Sequence, residues 1–276
     1  MGEATESGAS FHVRFWGVRG SVPTPDAHNL AFGGNTPCVE VLGPADEVII
    51  LDAGSGIRAL GESLLARPDP PTVVHIFLTH FHWDHVQGLP FFAPIYDPRF
   101  HIHFHSMRTP SELQAILSAQ MRAPFFPVTF ADLSATVEFH ALDPFQSGDL
   151  TLTSFPLHHP QGAVGFHIAS ATKSVVYATD HEHGDAAIDA NLVEVSRNAN
   201  ALIYDSQYTP TEYATRHNWG HSTWLEATHV ARRANVQQLV LFHHAPDRHD
   251  DAIRAIVAEA QAEFPATIAA QESLTL

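Results

Sequence analysis

A single cysteine, Cys38, occurs in the 276 residues, so no internal disulfide can form and a small cross-linked scaffold is excluded. No run of about 18 apolar residues and no signal-peptide core is found, so no membrane span is expected and the cytoplasm is the expected compartment. Cations are scarce: 14 Lys and Arg stand against 30 Asp and Glu, a formal net charge of -16. Proteins that hold long nucleic acids do so largely by counterion release at clustered cations, so such a partner is not expected. A small phosphate ester beside bound cations remains compatible with the acidic balance.

Hydrophobic residues make up 45% and charged residues 16%, enough to bury a full core. Residues 1–10 are small and polar and are expected to be a disordered tail. No repeat, low-complexity tract or long Gly/Ser linker follows, and the Pro68–Pro71 and Pro124–Pro127 stretches mark loops. Residues 11–276 are therefore expected to form one α/β domain.

Short β-branched runs end at once in Asp or His. Val48–Leu51 leads into Asp52, Val73–Thr79 into His80, Val175–Thr179 into Asp180, Ala201–Tyr204 into Asp205, and Leu239–Phe242 into His243. Such runs read as buried strands, and five strand ends at one sheet rim would give those polar residues a common address. Helices are expected at Ser111–Met121, at Thr223–Asn235 with Thr223 and Glu226 spaced as a capping box, and from an Asp250 or Asp251 cap through Phe264.

The strongest local signal is Thr79-His80-Phe81-His82-Trp83-Asp84-His85, four potential ligands in six residues directly after a strand. In an extended turn His80 and His82 project to one side, while Asp84 and His85 open the next helix. That pattern suits two neighbouring positions, as in paired-ion sites where the ions stand roughly 3.5 to 4 Å apart. Imidazole and carboxylate donors suit Zn, Mn or Fe, and the lack of any Cys ligand argues against a closed structural zinc site.

This segment resembles the signature of the metallo-β-lactamase superfamily. Phe15-Trp16-Gly17-Val18-Arg19-Gly20-Ser21, Gly33-Gly34-Asn35-Thr36, Leu51-Asp52-Ala53-Gly54-Ser55-Gly56 and Gly220-His221-Ser222-Thr223-Trp224 extend the resemblance over nearly the whole chain. They resemble the branch holding transfer-RNA 3′-processing endonucleases and small phosphodiesterases. The resemblance implies a four-layer αβ/βα sandwich of two mixed β-sheets flanked by helices, with the site along one edge between the sheets. It also implies that His80, His82 and His159 hold one divalent ion, that Asp84, His85 and His243 hold the other, and that Asp180 bridges them.

Two of these assignments involve neighbours. His159 precedes a Pro160-Gln161-Gly162 turn, as the family pattern implies, and is preferred to His158; His243 directly follows its strand and is preferred to His244, which would point elsewhere. The resemblance also implies that Asp52 supports the ligands by hydrogen bonding and that His221 faces the scissile phosphate. Asp205 is left open between orienting His221 and stabilising a loop. His221 and Asp84 are the residues expected in the chemical step.

The reaction expected is hydrolysis of a small or cyclic phosphodiester through a hydroxide bridging two ions, Zn or Mn with Fe also suitable. Thioester, lactone or β-lactam hydrolysis on the same ion pair is the enzymatic alternative, although the Gly-His-Ser-Thr element is generally lacking in those branches. A non-catalytic metal-binding sensor is the third reading. A basic protruding arm of the kind that grips transfer RNA is not found, no membrane partner is expected, and a homodimer is implied by resemblance alone. His101, His103 and His105 alternate through an expected strand and thus share one face; with no Asp nearby, a solvated face is expected rather than a third metal. Phe91-Phe92, Gln120-Met121 and Pro124–Val128, including Phe125-Phe126, are open between an apolar pocket and the core.

Overall fold

The computed structural model describes residues 11–43 and 47–276; the expected N-terminal tail lies outside the described residues. One sheet carries β1 (His12–Gly17), β2 (Cys38–Leu42), β3 (Glu47–Leu51), β4 (Val73–Phe77), β5 (His101–Ser106) and β6 (Thr136–Ala141), in that spatial order. The β1 to β3 pairs are antiparallel, and those from β3 to β6 are parallel. The other carries β7 (Phe145–Ser147), β8 (Leu150–Leu157), β9 (Ala163–Ala169), β10 (Ser174–Ala178), β11 (Ala201–Asp205), β12 (Leu239–Phe242) and β13 (Thr267–Ala269), again in order. Its pairs are antiparallel as far as β10 and parallel beyond. The helices are α1 (Ile57–Leu65), α2 (Trp83–Val86), α3 (Pro110–Gln120), α4 (Ala186–Val195), α5 (Pro210–Tyr213), α6 (Trp224–Ala234) and α7 (Asp250–Glu263).

The central strands are apolar on both faces because each face meets a different core. In β3, Ile49 and Leu51 join the layer between the sheets, while Val48 and Ile50 pack outward with Ile57, Leu60 and Leu64 of α1. In β11, Ala201 and Ile203 face the other sheet, and Leu202 and Tyr204 pack outward with α4 and α6 residues such as Leu192 and Ala227. The order helices, sheet, sheet, helices is the four-layer αβ/βα sandwich expected. Removing one fully buried side chain such as Ile50 would cost about 2–5 kcal/mol.

All five strands expected from the apolar runs form. The Val73–Thr79 run leaves the ladder early: β4 ends at Phe77, the Leu78 amide donates to the His105 carbonyl, and the Thr79 amide donates to Asp52. The Thr223 hydroxyl accepts from the Glu226 amide, but Glu226 faces His229 instead of closing a capping box. The cap of α7 is His249 rather than Asp250 or Asp251. Asp250 is drawn away because its carboxylate accepts from the Ala31 and Phe32 amides.

The histidines of β5 also differ from expectation. His105 is buried, its ring 4.2 Å from that of Phe77, and His103 is largely covered, stacked 4.6 Å from His75. His101 keeps the solvated position expected, whereas His103 and His105 are covered by their neighbours on β4 and β6 and by Phe145. Neighbouring strands supply cover that a single-strand pattern cannot reveal.

Candidate metal centre

Parallel strands deliver their C-terminal ends to one rim, the place where open α/β sheets hold ligands. Three of the residues just beyond those ends are non-glycine residues in left-handed conformation: Asp52 (φ 62), Asp180 (φ 55) and His243 (φ 61). That conformation costs about 1 kcal/mol or more for such residues. It turns each side chain sharply out of its strand line and into the cleft between the sheets.

Two sets of donors meet there. His80, His82, His159 and Asp180 bring one ligand atom each to within 4.8 Å of one another, as do Asp84, His85 and His243. Asp180 faces both sets with different oxygens. Its Oδ2 lies 3.6 Å from His80 Nε2 and 3.7 Å from His159 Nε2, and its Oδ1 lies 3.0 Å from His85 Nε2 and 3.3 Å from His243 Nε2. Asp84 Oδ2 is 3.5 Å from His85 Nε2 and 3.2 Å from His243 Nε2.

These spacings fit cations. Ligands about 2.0–2.2 Å from a tetrahedral ion stand roughly 3.3–3.6 Å from each other. His80 Nε2 and His85 Nε2 are buried without a hydrogen-bond partner, an expense that a bound cation removes. The charge states agree. Burial opposes ionisation of Asp180 and Asp84, but His243, His85 and His80 around the first, and His85 and His243 beside the second, hold both well below the usual carboxylate range. Burial, reinforced by His85, pushes the His80 imidazole well down, so its ring is neutral and able to bind an ion. His85 is pushed up despite its burial because Asp180, Asp84 and Asp52 surround it, and a cation would displace its proton.

Behind the donors stands a layer of fixed hydrogen bonds. Buried Asp52 accepts from His85 Nδ1 at 2.9 Å, from the Thr79 amide and hydroxyl at 2.9 Å, and from the Tyr177 hydroxyl at 3.0 Å. With Nδ1 engaged, His85 presents Nε2 to the cleft. His159 Nδ1 donates to the Gly220 carbonyl at 2.7 Å, and the Ser21 amide donates to Asp84 Oδ2 at 2.7 Å. Gly220 has φ +84, and a Cβ there would collide with the His159 imidazole. His221 Nδ1 bonds Asp205 Oδ2 at 2.8 Å, and Asp205 also accepts from the His181 and Gln207 amides.

Of the neighbouring histidine pairs, His159 and His243 enter the cluster. His158 turns away to the Glu182 carbonyl, and His244 bonds the Ala270 carbonyl, where burial pushes it down to about 3. Sequence reasoning missed Glu182. Its carboxylate accepts from the Asn218 and Gly220 amides at 2.7 Å and from the Tyr213 hydroxyl at 3.0 Å, clamping the loop that carries His221. The only trace of it in the sequence is its place two residues after Asp180.

The cleft opens through a cavity of about 390 Å³ lined by Ser21, Phe81, His82, Trp83, Asp84, Asp180 and His221. Phe81 and Trp83 continue into an apolar groove of about 300 Å³ with Val86, Ile116, Leu117 and Phe125. Phe125 (74% exposed) and Trp83 (68%) form its rim, whereas Phe92 and Met121 belong to the core. On the other side, Ser21 and His221 border a second recess with Tyr208, Arg216 and Trp219.

An αβ/βα sandwich with a doubled His/Asp cluster at one sheet rim defines the class: a metal-dependent hydrolase. The chain belongs to the metallo-β-lactamase superfamily, the model for the beta-lactamase superfamily domain matching residues 47–244. A ribonuclease Z from Porphyromonas gingivalis is 22% identical over 97% of this chain and 99% of its own length. The metallo-beta-lactamase fold protein YhfI from Bacillus subtilis superposes with a TM-score of 0.72 at 19% identity, covering 96% of this chain and 98% of that one. A diphosphatase of the PhnP family superposes with a TM-score of 0.70 at 18% identity, covering 97% of each chain.

Proposed function

We propose that the chain is a dinuclear phosphodiesterase acting on small or cyclic phosphodiesters, with His80, His82 and His159 around one ion, Asp84, His85 and His243 around the other, and Asp180 between them. The observation that carries this reading is His221. Its Nδ1 is tied to Asp205, its ring stacks 5.0 Å from that of His243, and it borders the cavity over the donor cluster. Two divalent cations would supply an acidified water and neutralise charge on the phosphoryl oxygens.

The protein's own groups do the rest. Burial pulls the His221 pKa down, but Asp205, with Asp180 and Asp84 behind it, holds it up at about 9. The ring is therefore protonated at neutral pH, and with Nδ1 occupied the transferable proton is on Nε2. A proton held there serves the departing alkoxide of a diester, which must be protonated on expulsion. Asp84, held by the Ser21 amide, fixes one wall of the centre, and Asp205 keeps the His221 ring oriented. The apolar groove beside Trp83 accommodates one apolar or aromatic ester arm, and the recess with Arg216 takes a polar one.

Net charge favours small substrates, since 14 cations in the whole chain cannot build the basic track that long RNA requires. The test is hydrolysis of bis(p-nitrophenyl) phosphate and of cyclic nucleotides by protein loaded with Zn or Mn. With cyclic nucleotides, whose alkoxide leaves with a proton, turnover should fall about 10²- to 10⁴-fold in His221→Ala with the metal content unchanged, and it should fall less with bis(p-nitrophenyl) phosphate, whose p-nitrophenolate leaves unprotonated. Lactone or β-lactam turnover without diesterase activity would reverse the assignment, and no turnover on any ester by metal-loaded protein would leave a metal-binding sensor.

A further inference from the structure

We propose a third metal site on the face of β5 and β6, held by His101, His103 and Glu138, for a late first-row cation such as Zn or Cu. It is independent of the catalytic reading and shares no residue with it. Because β5 and β6 run parallel in register, with His103 opposite Glu138 and His105 opposite His140, these side chains rise from one face of two adjacent strands. His101 Nε2 lies 2.9 Å from Glu138 Oε1, His103 Nδ1 lies 3.8 Å from Glu138 Oε2, and His140 Nε2 lies 3.7 Å from the same oxygen and 3.0 Å from His103 Nδ1. Ligands about 2.0–2.2 Å from a tetrahedral ion stand roughly 3.3–3.6 Å apart, the range into which ring rotations would bring His101, His103 and Glu138. One donor atom each from His101, His103 and Glu138 already falls within 4.8 Å of the others.

A solvated histidine face does not account for this packing. The His101 and His103 rings stack at 4.2 Å, His103 stacks on His75 at 4.6 Å, and His75 Nδ1 meets His105 Nε2 at 3.1 Å. The inner pair, wedged against Phe145 and Phe77, forms a rigid floor under the outer donors. His101, His140 and Glu138 are partly open, which gives an ion a way in. Two imidazoles and one carboxylate suit Zn or Cu rather than Mg or Ca. Since β6 is the outer strand of its sheet, an ion here would pin that edge to β5.

The test counts ions by difference. Full-length protein equilibrated with Zn(II) at neutral pH and dialysed is measured by elemental analysis beside Glu138→Gln and His101→Ala. Each variant should carry one ion per chain fewer than wild type while diesterase turnover is unchanged. His82→Ala should lose zinc at the catalytic edge only, and its double variant with Glu138→Gln should lose a further ion, so failure at one site is not mistaken for failure at the other. Substituting Co(II) should give a visible absorption band in the difference spectrum of wild type minus Glu138→Gln, beside the band of the catalytic edge that both proteins share. Equal metal content in wild type, Glu138→Gln and His101→Ala, all folded by circular dichroism, would overturn the site.

Discussion

His221 Nδ1 lies 2.8 Å from Asp205 Oδ2, and Asp180 Oδ2 stands 4.0 Å from the same nitrogen. The nearer carboxylate fixes the ring and is the stronger of the influences raising its pKa to about 9. Asp205→Asn keeps the shape and removes the charge. Turnover of a cyclic nucleotide should drop roughly 10- to 100-fold, less than for His221→Ala, and KM should change little. A group whose protonated form is needed loses activity as pH rises through its pKa, so the alkaline limb of the pH–rate profile should move to lower pH in Asp205→Asn. An unmoved limb would exclude His221 as its origin.

Asp52 is fully buried and accepts from His85 Nδ1, the Thr79 amide and hydroxyl and the Tyr177 hydroxyl, so Asp52→Ala strands four donors in the core. The expected cost is about 3–5 kcal/mol of stability by chemical denaturation. His85 also loses the bond that aims Nε2, so zinc affinity measured by chelator competition should weaken about 10- to 100-fold. A variant with wild-type affinity would show that Asp52 acts on the fold alone.

Chelation should abolish hydrolysis, with recovery on adding Zn or Mn, and should lower the melting temperature. A ligand at 100 to 1,000 times its Kd adds about 3–4 kcal/mol, and each kcal/mol moves a domain of this size by about 2–4 °C. A fall of roughly 10 °C in calorimetry is the expected outcome.

His75 and His105 make stability pH-dependent at a distance from the cleft. Both are held near 4 and 3 when folded, against an ordinary 6.5. Between those values the unfolded chain binds more protons than the folded one, so their contribution is complete above about pH 6.5 and is lost as pH falls through the folded values. The slope from His105 reaches at most ~1.4 kcal/mol per pH unit. Denaturation at pH 7 and pH 5 should show a larger difference in wild type than in His105→Phe.

A methyl group at Gly220 would collide with the imidazole of His159, and the residue's φ of +84 is strained for any side chain. Gly220→Ala should therefore lower zinc content and turnover together, read by elemental analysis and kinetics on the same sample.

The chemistry of this protein is written in local sequence because its donors sit just beyond apolar runs that have one stable use, as strands buried on both faces. Val73–Phe77 and Leu239–Phe242 announce His80 and His243, and the His80 to His85 spacing announces two donor sets, without any long-range information. Which residues meet across the fold is another matter. That Asp180 divides its two oxygens between clusters depends on a left-handed backbone turn and on two sheets closing over one core. Glu182, which clamps the His221 loop, and Glu138, which meets the histidines of β5, gain their partners only through contacts across turns and strands. His103 and His105 look solvated along a single strand because that pattern shows which side chains share a face and carries no information about what covers it.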